Sequence, residues 1–152
     1  MFQSKGEIKL EYSLGLLKPG YLKRNLENWV MDKVLNFGLK VVMTKRLTFT
    51  PGLVDVFYPQ CVGRDYYDGL CEHLCSGPSF VYIVRASDAI NRLNVLTGFN
   101  DPALAAEGTI RSAGENIRCN LAHSSENFDQ FFREAVVTFS KEEVIELIAV
   151  RK

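Results

Sequence analysis

The sequence predicts an α+β fold in one domain spanning residues 1–152, with a small antiparallel sheet covered by helices. Three observations predict it. Short stretches alternate apolar and polar residues or run briefly apolar, as strands do. Between them, apolar residues recur at helical spacing. Glycine, proline and serine punctuate the joins, and 47% of the residues are hydrophobic, enough to fill a core without staples.

The elements follow in order. "EYSLGLLK" (11–18) alternates and then turns apolar, as a buried strand does, and "PG" ends it. A helix is predicted from Asn25, with Leu26, Trp29, Val30, Val34 and Phe37 on one face. Asn25 serves as its N-cap and Gly38 as its stop. "LKVVMTKRLTF" (39–49) sets Leu39, Val41 and Met43 against Lys40, Thr44 and Arg46, the pattern of a half-exposed strand. Thr50-Pro51 opens a helix with proline in its first turn. A second short helix is predicted through "RDYYDGLCEHL", and "SGP" breaks the chain before the strand "SFVYIVRA" (79–86). Ser87 is the expected cap of a helix over "DAINRLNVL". Residues 98–119 lack periodicity, and a loop of that length in a compact domain is usually functional or disordered. "CNLAHS" reads as a last short strand, followed by a helix from Glu126 that buries Phe128, Phe131, Phe132, Ala135 and Val136. "SKEEVIELI" repeats the cap-then-acid signature of a helix start. Without the insertions the order is βαββαβ. That is the ferredoxin-like split motif, a four-stranded antiparallel sheet with its helices on one face and a long loop left over.

Composition excludes several classes. No apolar run is long enough to span a membrane. The N-terminal "MFQSKGEIKLEY" places charges where a secretory signal needs an apolar run, so a cytoplasmic protein is expected. Lys plus Arg and Asp plus Glu number 18 each, which argues against nucleic acid or an anionic membrane as the main partner. A local basic pocket remains compatible with that balance. Cys61, Cys71, Cys75 and Cys119 read as reduced thiols. "CEHLC" (71–75) suggests a metal, but on a helix His73 points away from the face shared by the two thiols. Structural zinc also needs four ligands, so no metal site is assigned.

The chemistry centres on "NLAHSSEN" (120–127), which holds His123. A neutral imidazole is a competent nucleophile near neutral pH. If the following helix starts at Ser125 or Glu126, its positive end would favour an anion beside the ring. A phosphohistidine nucleophile and an ordinary loop histidine both fit this pattern. Lys18, Arg64 and Arg111 are likewise compatible with phosphate contacts or with solvated surface positions. "KPGYLKR" lacks the glycine spacing of a Walker loop. By themselves these patterns reach an α+β domain with candidate phosphate sites.

Taken in order, the motifs resemble those of the nucleoside diphosphate kinase family. "LLKPG" resembles its Lys-Pro-Asp-Gly strand end, "YYDGLCEHLCSGP" its aromatic pair and Ser-Gly-Pro run, and "EGTIR" its Pro-Gly-Thr-Ile-Arg loop. "NLAHSSEN" resembles its Asn-x-x-His-Gly/Ala-Ser-Asp-Ser segment. The match runs from about Tyr12 to Phe139. The resemblance implies ping-pong transfer of the terminal phosphoryl of a nucleoside triphosphate to a nucleoside diphosphate through phosphorylated His123. It implies that Glu134 orients the ring and that Ser125 supports Glu134. Lys18 would reach phosphate and sugar, Asn120 the ribose, Arg111 a phosphate, and Tyr58 the transferred group. Tyr66 and Ile117 would sandwich the base, with Leu70 lining the slot. Asn94 and Asn100 stand where the family carries a phosphate-binding arginine and threonine. Mg²⁺ would arrive through the nucleotide phosphates, and a homo-oligomer (hexamer, tetramer or dimer) is implied. The replacements at 94 and 100, with an Arg111–His123 interval one residue short of the family's, set out the alternative: a nucleotide-binding or interaction module of the same fold with reduced or lost transferase activity.

Overall fold

The computed structural model of the chain describes residues 9–98, 106–113 and 122–149. Its strands are β1 (Leu10–Leu17), β2 (Lys40–Thr48), β3 (Pro78–Ser87) and β4 (Ala122–Ser124). Its helices are α1 (Leu26–Asn36), α2 (Pro51–Phe57), α3 (Tyr67–Cys75), α4 (Ala89–Thr97), α5 (Phe128–Thr138) and α6 (Lys141–Ala149). Two short 3₁₀ turns, Pro59–Cys61 and Arg111–Ala113, add to the expected elements.

The strands form one sheet in the order β2-β3-β1-β4, each neighbouring pair antiparallel. This is the split βαββαβ arrangement. The crossover helices α1 and α4 share one face, where Val30, Val34, Ala89 and Leu93 meet Leu17, Phe80, Tyr82 and Val84. The helices outside the βαββαβ core (α2, α3, α5 and α6) cover the other face. There Val54, Phe57, Leu74, Phe131 and Val144 meet Leu14, Leu16, Val81 and Ile83. Successive strand residues point to opposite faces, so the inner strands are buried on both sides. That is why β1 and β3 read as nearly unbroken apolar runs. Each large side chain so buried is worth about 1.5–3 kcal/mol. Gly15 lies opposite Tyr82, whose ring occupies the space that a Cβ would need.

Several local expectations are corrected. Val41 and Met43 do not share a face: a bulge between them sets Val41 opposite Val84 and Met43 opposite Ile83, in different core clusters. Asn25 precedes α1 in the left-handed conformation and its side chain makes no capping bond. Ser87 ends β3 instead of capping α4; the cap position is Asp88, also left-handed. The Ile90 N–H of that helix donates to Glu11 Oε1 of β1 at 3.3 Å, a partner from another element. The helix in "RDYYDGLCEHL" begins at Tyr67. Phe128 is half exposed, so the buried side of α5 is Phe131, Glu134, Ala135 and Thr138. The predicted Ser140 start of α6 forms a reciprocal pair: Glu143 N donates to Ser140 Oγ, and that hydroxyl to Glu143 Oε1, each at 3.1 Å. Among the described residues, no helix is long and apolar enough to cross a membrane.

Candidate active site

His123 sits in β4 opposite Leu16 of β1, which aims its ring at the face covered by α2 and α5. The expected helix end beside it is displaced. α5 begins only at Phe128, and its first-turn donor Gln130 N–H is taken by Asn127 Oδ1 at 2.8 Å. Asn127 is a strong N-cap, so one of the free N–H groups of that helix end is already satisfied by the chain itself.

A buried carboxylate holds the ring instead. Glu134 is fully buried one turn from the end of α5, and its Oε2 lies 2.8 Å from His123 Nε2. Ser125 Oγ donates to Glu134 Oε1 at 2.7 Å and Gln130 Nε2 donates to Oε2 at 2.9 Å. Burial alone would raise the Glu134 carboxyl. The His123 ring and the hydrogen bonds from His123, Ser125 and Gln130 outweigh burial and hold it below its usual value. An ionised carboxylate only accepts, so in the neutral tautomer of His123 the proton resides on Nε2 and Nδ1 carries the lone pair. Phe57 and Tyr58 stand edge-on to the imidazole with ring centroids 5.2 Å away. The ring is thus clamped by two aromatics and one carboxylate.

Cations and a donor converge on the same place. Lys18, the residue after β1, is buried with its Nζ 5.9 Å from the Tyr58 ring centroid. The Tyr58 hydroxyl is buried and has no hydrogen-bond partner among the described residues. Burial, helped by Glu134 and opposed by Arg111, pushes its ionisation well above the usual value, so it remains a neutral donor. Arg111 donates from Nε to Ala122 O at 3.0 Å and from Nη1 to Gly98 O at 2.7 Å. These bonds pin the long loop to the strand residue before His123. Burial lowers the Arg111 pKa, opposed by Tyr58, Glu126 and Tyr82, yet guanidinium stays charged at neutral pH.

Other expected residues have different settings. Asn94 of α4 accepts the Ser124 hydroxyl proton on Oδ1 at 2.6 Å, tying α4 to β4 one residue after His123. Arg92 points elsewhere, its Nη1 and Nη2 donating to Ser87 O at 3.0 Å and Phe37 O at 2.6 Å. Tyr66 is 38% exposed at the start of α3, and Leu70, one turn on, is buried in the cluster that contains Tyr58. Asn100, Ile117 and Asn120 lie outside the described residues. Cys71 and Cys75 pack against the same core, and among the described residues no three His, Cys, Asp or Glu side chains gather as a metal site. Sequence reasoning missed Gln130 and Phe57. The four-residue spacing of Gln130 and Glu134 on one helix was the available signal for the first. No local signal marks Phe57, which reaches the ring by tertiary packing.

A four-stranded split βαββαβ sheet bearing a carboxylate-oriented histidine, with a lysine and an arginine nearby, defines a domain equipped for phosphoryl transfer. The family model for nucleoside diphosphate kinase matches residues 11–144. A nucleoside diphosphate kinase of Rickettsia bellii is 35% identical over 140 residues, covering 91% of this chain and 100% of the relative. The nucleoside diphosphate kinase structure from Aquifex aeolicus superposes with a TM-score of 0.83 at 26% identity, covering 89% of this chain and 99% of that one. The halophilic nucleoside diphosphate kinase from Halobacterium salinarum, solved in complex with CDP, gives 0.83 at 29% identity over 89% of this chain and 91% of its own. The chain belongs to the nucleoside diphosphate kinase family, and its function is that family's phosphotransferase function.

Proposed function

We propose that this chain transfers the terminal phosphoryl of ATP or another nucleoside triphosphate to a nucleoside diphosphate in two displacements through His123. The observation that carries the reading is the bond between His123 Nε2 and the buried Glu134 carboxylate, which leaves Nδ1 with the lone pair. In the first displacement Nδ1 attacks the terminal phosphorus. A P–N bond forms, the P–O bond to the β-phosphate breaks, and nucleoside diphosphate leaves. In the second, a terminal oxygen of the incoming diphosphate attacks that phosphorus and the P–N bond breaks, returning the lone pair to Nδ1. Glu134 neutralises the ring's positive charge in the phosphorylated state, and Ser125 holds Glu134. Such transfer depends chiefly on positioning and on cations around the equatorial oxygens.

Lys18, Tyr58 and Arg111 supply that environment in this reading, supported by Lys18 over the Tyr58 ring, Tyr58 edge-on to His123, and Arg111 bound to the carbonyl of Ala122, the residue before His123. Tyr66, Leu70 and Ile117 take the base, Asn120 the ribose, and Asn100 and Asn94 the neighbourhood of the phosphates. Stacking on an aromatic face tolerates any base, so weak base discrimination follows. Mg²⁺ enters as part of the substrate. Glu134 is committed to His123, Ser125 and Gln130, and Lys18 and Arg111 are cationic, so the nucleotide's phosphate oxygens would hold the ion. The reaction is placed in the cytoplasm, in a single domain. The chain is expected to form a homo-oligomer, supported by an edge strand, β2, with no neighbour on its outer side among the described residues.

The test is incubation with γ-labelled ATP and Mg²⁺. An acid-labile, base-stable phosphoprotein is expected, and His123→Ala should abolish it. Label that survives this change would move the nucleophile elsewhere. Absence of label in the unaltered protein would favour a nucleotide-binding module without transferase activity.

A further inference from the structure

Gln130 is placed to do more than fill a helix surface. Its Nε2 donates to Glu134 Oε2 at 2.9 Å, the same oxygen that lies 2.8 Å from His123 Nε2. Its Oε1 accepts a long bond from Glu126 N at 3.4 Å. One side chain therefore touches the carboxylate that holds the nucleophile and the backbone linking that nucleophile to α5. We propose that Gln130 is a positioning residue for the phosphohistidine chemistry, aiming the Glu134 carboxylate at His123 and fastening the segment between them. This rests on the reading of His123 as the nucleophile.

A buried carboxylate in a dry site needs its lone pairs filled, and a hydrogen bond to an ionised group is worth roughly twice a neutral one. Ser125 fills Oε1 and His123 one side of Oε2; Gln130 fills the other side. Without it the carboxylate can rotate and direct Oε2 away from the ring, and its ionised form loses one of three donors. The titratable groups facing the carboxylate are His123 from β4, Tyr58 from the turn after α2, and Arg133 of α5, whose Nη2 is 4.0 Å from Oε2. Lys18 at the end of β1 lies over Tyr58. Elsewhere β1 packs on α5 through Tyr12 stacked on Phe131, and α6 packs through Val144.

Two substitutions separate the roles. Gln130→Glu keeps an acceptor for Glu126 N–H and replaces the amide donor with a carboxylate oxygen. Gln130→Met keeps the length and removes both. Single-turnover labelling of each with γ-labelled ATP is measured across pH, beside the unaltered protein and His123→Ala. Both variants are expected to label about tenfold more slowly, the cost of one hydrogen bond to a charged group. The nucleotide concentration for half-maximal rate should hold. The acid edge of the rate should move to higher pH, furthest for Gln130→Glu. Labelling at the unaltered rate with an unmoved acid edge overturns the proposal, as does slowing in Gln130→Met alone or equal slowing at every pH. If Gln130→Met fails to fold, Gln130→Glu decides. If the unaltered protein takes no label, or His123→Ala does, the nucleophile assignment fails first and this proposal with it.

Discussion

At the scale of single residues, Glu134 and Tyr58 carry opposite problems. Glu134 is a buried charge with three donors; removing such compensation is costly. Its carboxyl is held below the ordinary value in the folded chain, so in the interval between the two values the unfolded chain binds more protons. Stability from this group is therefore full above the ordinary carboxylate range and is lost as pH falls through the folded value. Urea midpoints measured from neutral pH down to about 3 should fall more steeply for the unaltered protein than for Glu134→Gln. Equal slopes would refute the assignment. Tyr58 instead buries a hydroxyl that the described residues leave unpaired, and such a group costs stability. Tyr58→Phe should leave the melting temperature unchanged or raise it, while kcat/KM falls about tenfold as the phosphoryl loses a donor. A large loss of stability with no kinetic change would refute that role. Lys18, His123 and Arg111 could be picked out in the sequence by residue type and motif. That Glu134, eleven residues away, holds the ring was implied by the family resemblance alone; that it meets Nε2 is set by how α5 packs against β4.

At the scale of elements, the ends of helices decide what the site receives. The Ser-Ser-Glu-Asn segment offers several capping side chains within four residues. Asn127 takes the cap while Ser125 is diverted to Glu134, which starts α5 beyond the expected residue. Local pattern cannot choose among four competing side chains; the buried carboxylate chooses. The Asn94–Ser124 bond joins α4 to β4 beside His123. Asn94 stands where the resemblance implies an arginine, and Ser124 where it implies glycine or alanine, so the two departures touch each other. Asn94→Arg alone breaks this latch, whereas Asn94→Arg with Ser124→Gly restores the family's pairing. The double variant should exceed the unaltered kcat/KM several-fold, and the single variant should not. A double-mutant cycle should give a coupling above about 0.5 kcal/mol. Additive effects would show that the two residues act independently. The bulge in β2 is a further feature that alternation misassigned, since one extra residue reverses which side chains face which layer.

At the scale of the molecule, two apolar layers sandwich the sheet, and the site lies where β1, β4, α2 and α5 meet. The surface still carries large hydrophobic side chains, among them Leu35, Phe37 and Val95, and β2 leaves an outer edge unpaired among the described residues. Such features favour self-association. Light scattering behind size exclusion should give two, four or six times the 17.2 kDa chain mass; a monomer at micromolar concentration would refute the expectation.

The sequence by itself determined the βαββαβ order and most of the apolar faces, because those depend on local periodicity. The residues proposed to react were singled out by the family resemblance of their motifs, not by periodicity. Only the tertiary structure decided that helices would cover both faces, which nitrogen of His123 keeps the lone pair, and that Gln130 joins the carboxylate. Those outcomes depend on groups distant along the chain being desolvated together. A buried carboxylate takes whichever donors packing brings within reach, whatever their place in the sequence.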